Sequence, residues 1–134
     1  MKADAHLHFD GRCEEAFKFY ERVFNGKIEA MMHAARSPVE SHMGSPKAVM
    51  HARMKIGDTT IMGADTPPGR YLKPQGMSVT VRVDTAADAA RIFSGLMEGG
   101  EITMAMAPTF FAENFGAGTD RYGTPWMIIC EKKM

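Results

Sequence analysis

A pattern of strand, helix, closing glycine and strand occurs twice in this chain, with the two copies 74 residues apart. In the first copy Asp10 ends an alternating segment and Gly26 follows an amphipathic segment; in the second copy Asp84 and Gly100 stand in the same places. A chain of 134 residues has the length of one ordinary domain. The duplication therefore predicts a single α+β domain (1–134) made of two βαβββ modules, with one main helix and curled mixed strands in each. The modules span residues 3–65 and 77–131, and 66–76 connects them.

The local patterns support this order of elements. In the first strand Leu7 and Phe9 alternate with His6 and His8, as expected where one side of a strand is buried. Arg12–Phe24 has apolar residues at helical spacing. In the second module Thr85 precedes the helix as a capping residue, with Asp88 three positions later. Residues 34–46 are polar and contain two prolines, which predicts a mobile loop.

Each module also carries a candidate β-hairpin. In the first, strand residues 51–56 and 60–64 flank Gly57-Asp58. In the second, Asp120–Gly123 lead into Pro125 and the apolar segment Trp126–Cys130. Glycine reaches backbone angles that other residues resist and proline fixes φ, so both are typical of such turns.

The strand positions that alternate with the buried ones predict a second, polar surface. If the helix of each module covers one face of its strands, the other face carries Asp4, His6, His8, Glu29, Met31, His33, His51, Arg53, Lys55, Thr60, Met62, Ser78, Thr80, Arg82, Met127, Ile129 and Glu131. Two readings are open. In the first, these are ordinary solvent-facing residues. In the second, two curled sheets form a polar cleft whose walls carry more basic than acidic side chains.

Composition excludes several classes of function. The chain has sixteen basic and sixteen acidic residues and no run of lysine or arginine, which argues against nucleic acid or an anionic membrane as a partner. No apolar stretch is long enough to span a membrane and no signal-type segment begins the sequence, so we expect a cytoplasmic protein. Cys13 and Cys130 lie among apolar positions, where buried and inert thiols are expected.

Three segments together resemble the vicinal oxygen chelate superfamily, which includes glyoxalase I, bleomycin-resistance proteins and extradiol dioxygenases. They are His6–Tyr20 (HLHFDGRCEEAFKFY), Lys55–Asp65 (KIGDTTIMGAD) and Thr119–Met127 (TDRYGTPWM). The most similar branch is the PhnB-like one, also labelled demethylubiquinone methyltransferase-like. The resemblance implies a cleft formed by paired modules, often within a homodimer. It also implies that any divalent metal would be held near Asp4, Met62, Ser78 and Met127.

These four positions do not favour a metal. Thioethers are soft ligands unsuited to Mg²⁺, Mn²⁺ or Fe²⁺, and a serine hydroxyl is a weak ligand. A different set, made of His6, His8, His51 and Glu131, has suitable donor atoms, but His6 and His8 are expected about 7 Å apart along a strand. We predict no metal and no other cofactor.

The sequence thus favours a metal-free protein that binds an anionic organic molecule, as bleomycin-resistance proteins do by sequestration. Two alternatives stay open: a metal-dependent lyase, isomerase or dioxygenase with unusual ligands, and a metal-free enzyme that uses the histidines as acids and bases. No catalytic residue is assigned. The candidate ligand-binding residues are His6, His8, His51, Arg53, Met62, Ser78, Thr80, Arg82, Phe111, Phe115, Arg121, Trp126 and Met127. Arg121 either pairs with Asp120 or anchors the anion, and the aromatic residues either line the ligand site or belong to the core.

Overall fold

The computed structural model describes residues 1–133, which form two compact units, 1–73 and 74–133. Each unit contains a four-stranded mixed sheet and one main helix. The predicted fold class, two βαβββ modules of α+β type, is confirmed.

The first unit follows the predicted order with one addition. Its elements are β1 (Ala5–Phe9), α1 (Cys13–Phe24), β2 (Lys27–His33), α2 (Glu40–Met43), β3 (Val49–Ile56) and β4 (Thr59–Asp65). The strands pair in the order β1-β4-β3-β2, with β1 parallel to β4 and the other pairs antiparallel. The one-turn helix α2 lies inside residues 34–46, so this segment is partly helical and not the plain loop that its composition predicts.

A buried carboxylate fixes the start of α1. Arg12 precedes the helix without a capping side-chain bond. Asp65, only 5% exposed at the end of β4, takes that role because its Oδ1 accepts a 2.9 Å hydrogen bond from the backbone N–H of Cys13. Its Oδ2 accepts another from the N–H of Val49. One side chain thus joins the helix to both strands of the hairpin, satisfying backbone donors that would otherwise be unpaired.

The second unit repeats this arrangement without a counterpart of α2. Its elements are β5 (Val79–Arg82), α3 (Ala86–Leu96), β6 (Glu101–Ala107), β7 (Ala112–Thr119) and β8 (Pro125–Glu131). The strands pair in the order β5-β8-β7-β6, with β5 parallel to β8. The hydroxyl of Thr85 accepts a hydrogen bond from the N–H of Asp88, which confirms the predicted cap of α3.

The hairpin turn of the second unit is organised around Asp120, which is 3% exposed. Its Oδ1 accepts hydrogen bonds from the N–H groups of Tyr122 and Thr124, at 2.8 and 3.1 Å. Its Oδ2 accepts a 2.8 Å bond from the indole Nε1 of Trp126. The buried carboxylate therefore ties the turn to the largest side chain of this unit's core.

The two units share an irregularity at equivalent positions. In β2 the pairing with β3 shifts between Ile28 and Ala30, so Glu29 is the extra residue of a β-bulge. In β6 the pairing with β7 shifts between Ile102 and Met104, which places the extra residue at Thr103, 74 positions after Glu29. A bulge changes which side chains point to each side of the strand that contains it.

None of the helices within residues 1–133 has both the length and the apolar character needed to cross a membrane.

Candidate functional site

The side of the first sheet that faces away from α1 carries most of the candidate residues of this unit. Gly63 marks the helix-facing side, because a Cβ placed there would meet the ring of Phe17 on α1. The neighbouring row lies on the opposite side and runs His6–Met62–Arg53–Ala30 across β1, β4, β3 and β2. We call this surface the first face; it also includes His8, which pairs with Ala64, and His51, which pairs with Met32.

The imidazoles of the first face lie close together. The ring centroids of His6 and His8 are 4.9 Å apart, which is closer than the spacing of alternate residues along a strand suggests. Partial burial lowers the pKa of His6, and the charges of His8 and His51 lower it further. His6 therefore holds its proton less readily than an ordinary histidine, and a bound anion that offset the neighbouring charges would raise its pKa again.

Two residues predicted on the first face lie on the other side of β2. The bulge at Glu29 reverses the alternation, so Ala30 and Met32 pair with Arg53 and His51. Met31 instead pairs with the buried Ala52. His33 turns towards α1, where its Nε2 lies 2.6 Å from the Oε1 of Glu14. The hydrogen bonds of Lys18 and His33 lower the pKa of Glu14.

Glu29 keeps its predicted place because the bulge leaves it beside Arg53, with Oε1 3.5 Å from the guanidinium Nε. The expectation of four histidines on this surface was therefore wrong for His33, and three remain. Met32, 54% exposed, joins the first face although the alternation of the sequence did not indicate it.

The second unit presents a corresponding surface on the side of its sheet away from α3. Gly116 marks the helix side, because a Cβ there would meet the ring of Phe93. One row on the opposite side runs Thr80–Met127–Ala117–Met104, and the next runs Arg82–Ile129–Phe115–Ala107. We call this surface the second face. Ile129 was predicted on this face, whereas three members, Ala117, Met104 and Ala107, were indicated neither by the motifs nor by the alternation.

Aromatic side chains extend the second face at one edge. The rings of Phe115 and Phe111 meet edge to face at 5.4 Å between centroids, and Phe111 meets Phe110 in the same way at 5.2 Å. Phe111 is 44% exposed and Phe110 is 90% exposed. Ser78 is exposed just before β5 and lies outside the paired rows.

Arg121 and Trp126 are not on either face. Trp126 is 1% exposed and belongs to the core of its unit, held by Asp120. The Nε of Arg121 donates a 3.0 Å hydrogen bond to the carbonyl of Glu98, two residues after α3, so this side chain links the hairpin turn to the segment that follows the helix. We leave both residues out of the candidate ligand surface.

Both cysteines are free and buried. Burial and the nearby carboxylates of Asp65 and Glu14 raise the pKa of the Cys13 thiol. Burial and a hydrogen bond with Glu113 raise the pKa of Cys130. Because the thiolate is the reactive form, neither residue is suited to act as a nucleophile.

The strand register refines the positions that the superfamily resemblance implies for a metal. His6 lies directly across from Met62, and Thr80 lies directly across from Met127. Asp4 and Ser78 fall outside the strands. Among residues 1–133, no three or more histidine, cysteine, aspartate or glutamate side chains are grouped so that they could hold a metal ion. The thioethers of Met62 and Met127, which lie across from His6 and Thr80, do not fit Mg²⁺, Mn²⁺ or Fe²⁺.

Known proteins are similar to this chain over nearly its whole length. A family model described as 3-demethylubiquinone-9 3-methyltransferase matches residues 1–129. Protein YjdN of Escherichia coli K12 is 30% identical over 143 residues, covering 99% of this chain and 97% of the relative. The crystal structure of PA1353 from Pseudomonas aeruginosa is 36% identical, with a TM-score of 0.89 and 99% of both chains covered.

Two further structures connect the chain to the wider fold. A PhnB protein from Bacillus cereus is 25% identical with a TM-score of 0.83, covering 97% of this chain and 99% of its own. A glyoxylase/bleomycin resistance protein/dioxygenase domain from Frankia sp. EAN1pec is 11% identical with a TM-score of 0.67, covering 98% of each chain. At 11% identity, the similarity to the Frankia domain concerns the fold alone.

Proposed function

The chain belongs to the 3-demethylubiquinone-9 3-methyltransferase family, the PhnB-like branch of the vicinal oxygen chelate superfamily, and from this membership we propose that it binds a small organic anion without the help of a metal. The observation that supports this proposal is the concentration of cationic and ionisable donors on the sheet faces opposite the helices. His6, His8, His51 and Arg53 share the first face, and Arg82 lies on the second.

The two arginines contribute little to folding through their ion pairs. Arg53 and Arg82 are 50% and 76% exposed, and their carboxylate partners Glu29 and Glu131 lie at 3.5 and 3.9 Å. Ion pairs of this kind are worth little in water. An anionic ligand that displaces either carboxylate gains a charge-assisted hydrogen bond, so the faces are better suited to recognition than to stability.

Methyl transfer is not part of the proposal. The two strand-to-helix turns, Asp10–Arg12 and Val83–Thr85, contain one glycine between them. A glycine-rich turn is what brings a nucleotide-type cofactor close to a helix N-terminus.

A ligand screen tests the proposal. We expect organic acids to raise the melting temperature more than neutral or cationic analogues of the same size. Binding should strengthen as the pH falls below about 6.5, because an anion favours protonated imidazole. Because the pKa of His6 is lowered, its protonation strengthens binding only at a lower pH than the protonation of an ordinary histidine does. Either His8→Ala on the first face or Arg82→Ala on the second face should weaken the best acid about tenfold, the equivalent of one charge-assisted hydrogen bond.

Matched variants separate recognition from general charge effects. Arg91→Ala removes an exposed arginine of α3 that pairs with Asp88, and His33→Ala removes the histidine that turns towards α1. Both should leave binding within about twofold. If neutral or cationic compounds bind best, or if His8→Ala and Arg82→Ala change nothing, the proposal fails.

The metal content of the purified protein distinguishes the metal-free proposal from the metal-dependent alternative. Because Met62 and Met127 stand where the superfamily places metal ligands, the metal-free proposal predicts no stoichiometric Zn²⁺, Ni²⁺, Mn²⁺ or Fe²⁺ by elemental analysis. About one metal ion per chain, removable by a chelator with loss of thermal stability, would establish the metal-dependent reading instead.

A metal-free acid–base enzyme is the second candidate, favoured by the 4.9 Å approach of His6 and His8. Turnover of a bound acid that is abolished by His6→Asn or His8→Asn would show it.

We also propose a homodimer, the assembly that the superfamily resemblance implies. A monomer in light scattering at micromolar concentration would contradict it.

A further inference from the structure

The two faces differ in chemical character although they descend from one repeated pattern. In the first face the row through Met62 begins at His6 and continues to Arg53. In the second face the corresponding row through Met127 begins at Thr80 and continues to Ala117 and Met104. The second face therefore has a small apolar residue where the first face has a guanidinium, and it is the more apolar of the two.

The next row of the second face combines an apolar strip with a single cation. Arg82 pairs with Ile129, and Ile129 pairs with Phe115. Neighbouring strands lie about 4.8 Å apart, so the backbones of Arg82 and Phe115 are separated by about 10 Å. Phe111 continues the apolar strip beyond Phe115, at 5.4 Å between ring centroids. The separation of about 10 Å between the backbones of Arg82 and Phe115 matches the length of a fused two-ring system with an acidic group at one end.

The surface around this strip is partly accessible. Phe111 is 44% exposed, Met127 of the neighbouring row is 37% exposed, and Ile129 and Phe115 are half-buried. The guanidinium of Arg82 is 76% exposed, and its 3.9 Å distance to Glu131 is too long for a strong hydrogen bond. The cation can therefore exchange its carboxylate partner for the acidic group of a ligand.

We propose that the second face binds a flat aromatic acid, a carboxylate or sulfonate carried on a ring system. In this arrangement Arg82 holds the acidic group, Ile129 and Met127 lie under the rings, and Phe115 and Phe111 pack edge to face at the far end. Edge-to-face contacts between aromatic rings favour this geometry over simple apolar contact. The inference rests on the proposed function, since it names the class of anion and the part of the chain that takes its body.

A pair of fluorescent probes tests the assignment on the full-length protein. 8-Anilinonaphthalene-1-sulfonate carries a sulfonate on a naphthalene ring, and N-phenyl-1-naphthylamine is its neutral counterpart. We expect the sulfonate probe to bind more tightly than the neutral one. Arg82→Ala should weaken the sulfonate probe about tenfold and leave the neutral probe within about twofold. Phe111→Ala and Phe115→Ala should weaken both probes, by about fivefold to tenfold.

A matched control excludes general attachment to exposed apolar groups. Ile102 is 53% exposed in the same unit, but it pairs with Gly118 on the helix-facing side of the sheet. Ile102→Ala should therefore leave both probes unaffected. Phe111 is 44% exposed, so its replacement keeps the test valid if Phe115→Ala fails to fold.

The outcomes separate this inference from the proposed function. If the sulfonate probe is weakened by His8→Ala or Arg53→Ala but not by Arg82, Phe111 or Phe115 variants, anion binding stands and the second-face assignment is overturned. Equal weakening of both probes by Arg82→Ala also overturns it. If neither this probe nor any other organic acid binds, both proposals fail.

Discussion

An Asp120→Ala variant is expected to lose about 4 kcal/mol of unfolding free energy. The carboxylate is buried and accepts hydrogen bonds from two backbone N–H groups and from the indole of Trp126. Its removal leaves three donors without this acceptor, each costing about 1–3 kcal/mol before relaxation. Urea unfolding followed by circular dichroism measures the loss. Since Trp126 is the single tryptophan of the chain, a red shift of its fluorescence would report the disturbance at the turn directly.

The first hairpin supplies a matched control. Asp58 occupies its turn but is exposed, so Asp58→Ala should change the unfolding free energy by less than about 0.5 kcal/mol. Asp120→Asn preserves the shape but points an amide donor at one of the other donors, and about 2–3 kcal/mol should be lost. Similar losses for Asp58→Ala and Asp120→Ala would mean that the carboxylate does not anchor the turn.

Gly100→Ala is expected to destabilise the second unit by about 3 kcal/mol. A Cβ at this position would collide with the carbonyl oxygen of Thr119 and lie 3.0 Å from the Cα of Asp120. Both are backbone atoms of the neighbouring hairpin, so the clash is not relieved by turning a side chain. Gly26→Ala should cause a similar loss in the first unit, because its Cβ would lie 2.7 Å from the carbonyl oxygen of Lys55. The midpoint of urea unfolding measures both effects.

Gly76→Ala separates crowding from backbone strain. Gly76 has a φ of +77°, but an added Cβ would meet nothing within 4 Å. Its replacement should therefore cost only the strain of a left-handed residue, about 1–2 kcal/mol. A Gly100→Ala variant no less stable than Gly76→Ala would show that the hairpin yields to the added methyl group.

The order of elements could be predicted because it rests on periodic signals. The alternation of Leu7 and Phe9 with the histidines, the helical spacing of Arg12–Phe24 and the Thr85 cap each depend on neighbours in sequence. The helix α2 was missed because a single turn is too short to show a period. It is bounded by Gly44 in a left-handed conformation, a local signal that was assigned only to a loop.

The composition of the faces was less predictable. A prediction from alternating residues assumes that the strand has no bulge. No residue type near Glu29 indicates the bulge there, and for this reason the alternation predicts the wrong side of the sheet for Met31 and His33. Trp126 was a candidate ligand residue with the core as the alternative. An aromatic residue near a turn is compatible with either place, and the burial of Trp126 and its hydrogen bond to Asp120 assign it to the core.

The paired bulges also bear on how the chain arose. Their extra residues, Glu29 and Thr103, share no chemistry, yet each is the third residue of its strand. Asn25 and Gly99, which precede the two crowded glycines, likewise differ as residues and share a left-handed backbone. An ancestral gene that encoded one module, already bulged and already turned in this way, accounts for both coincidences at once. Since its duplication, descent has preserved the path of the backbone more faithfully than the side chains along it.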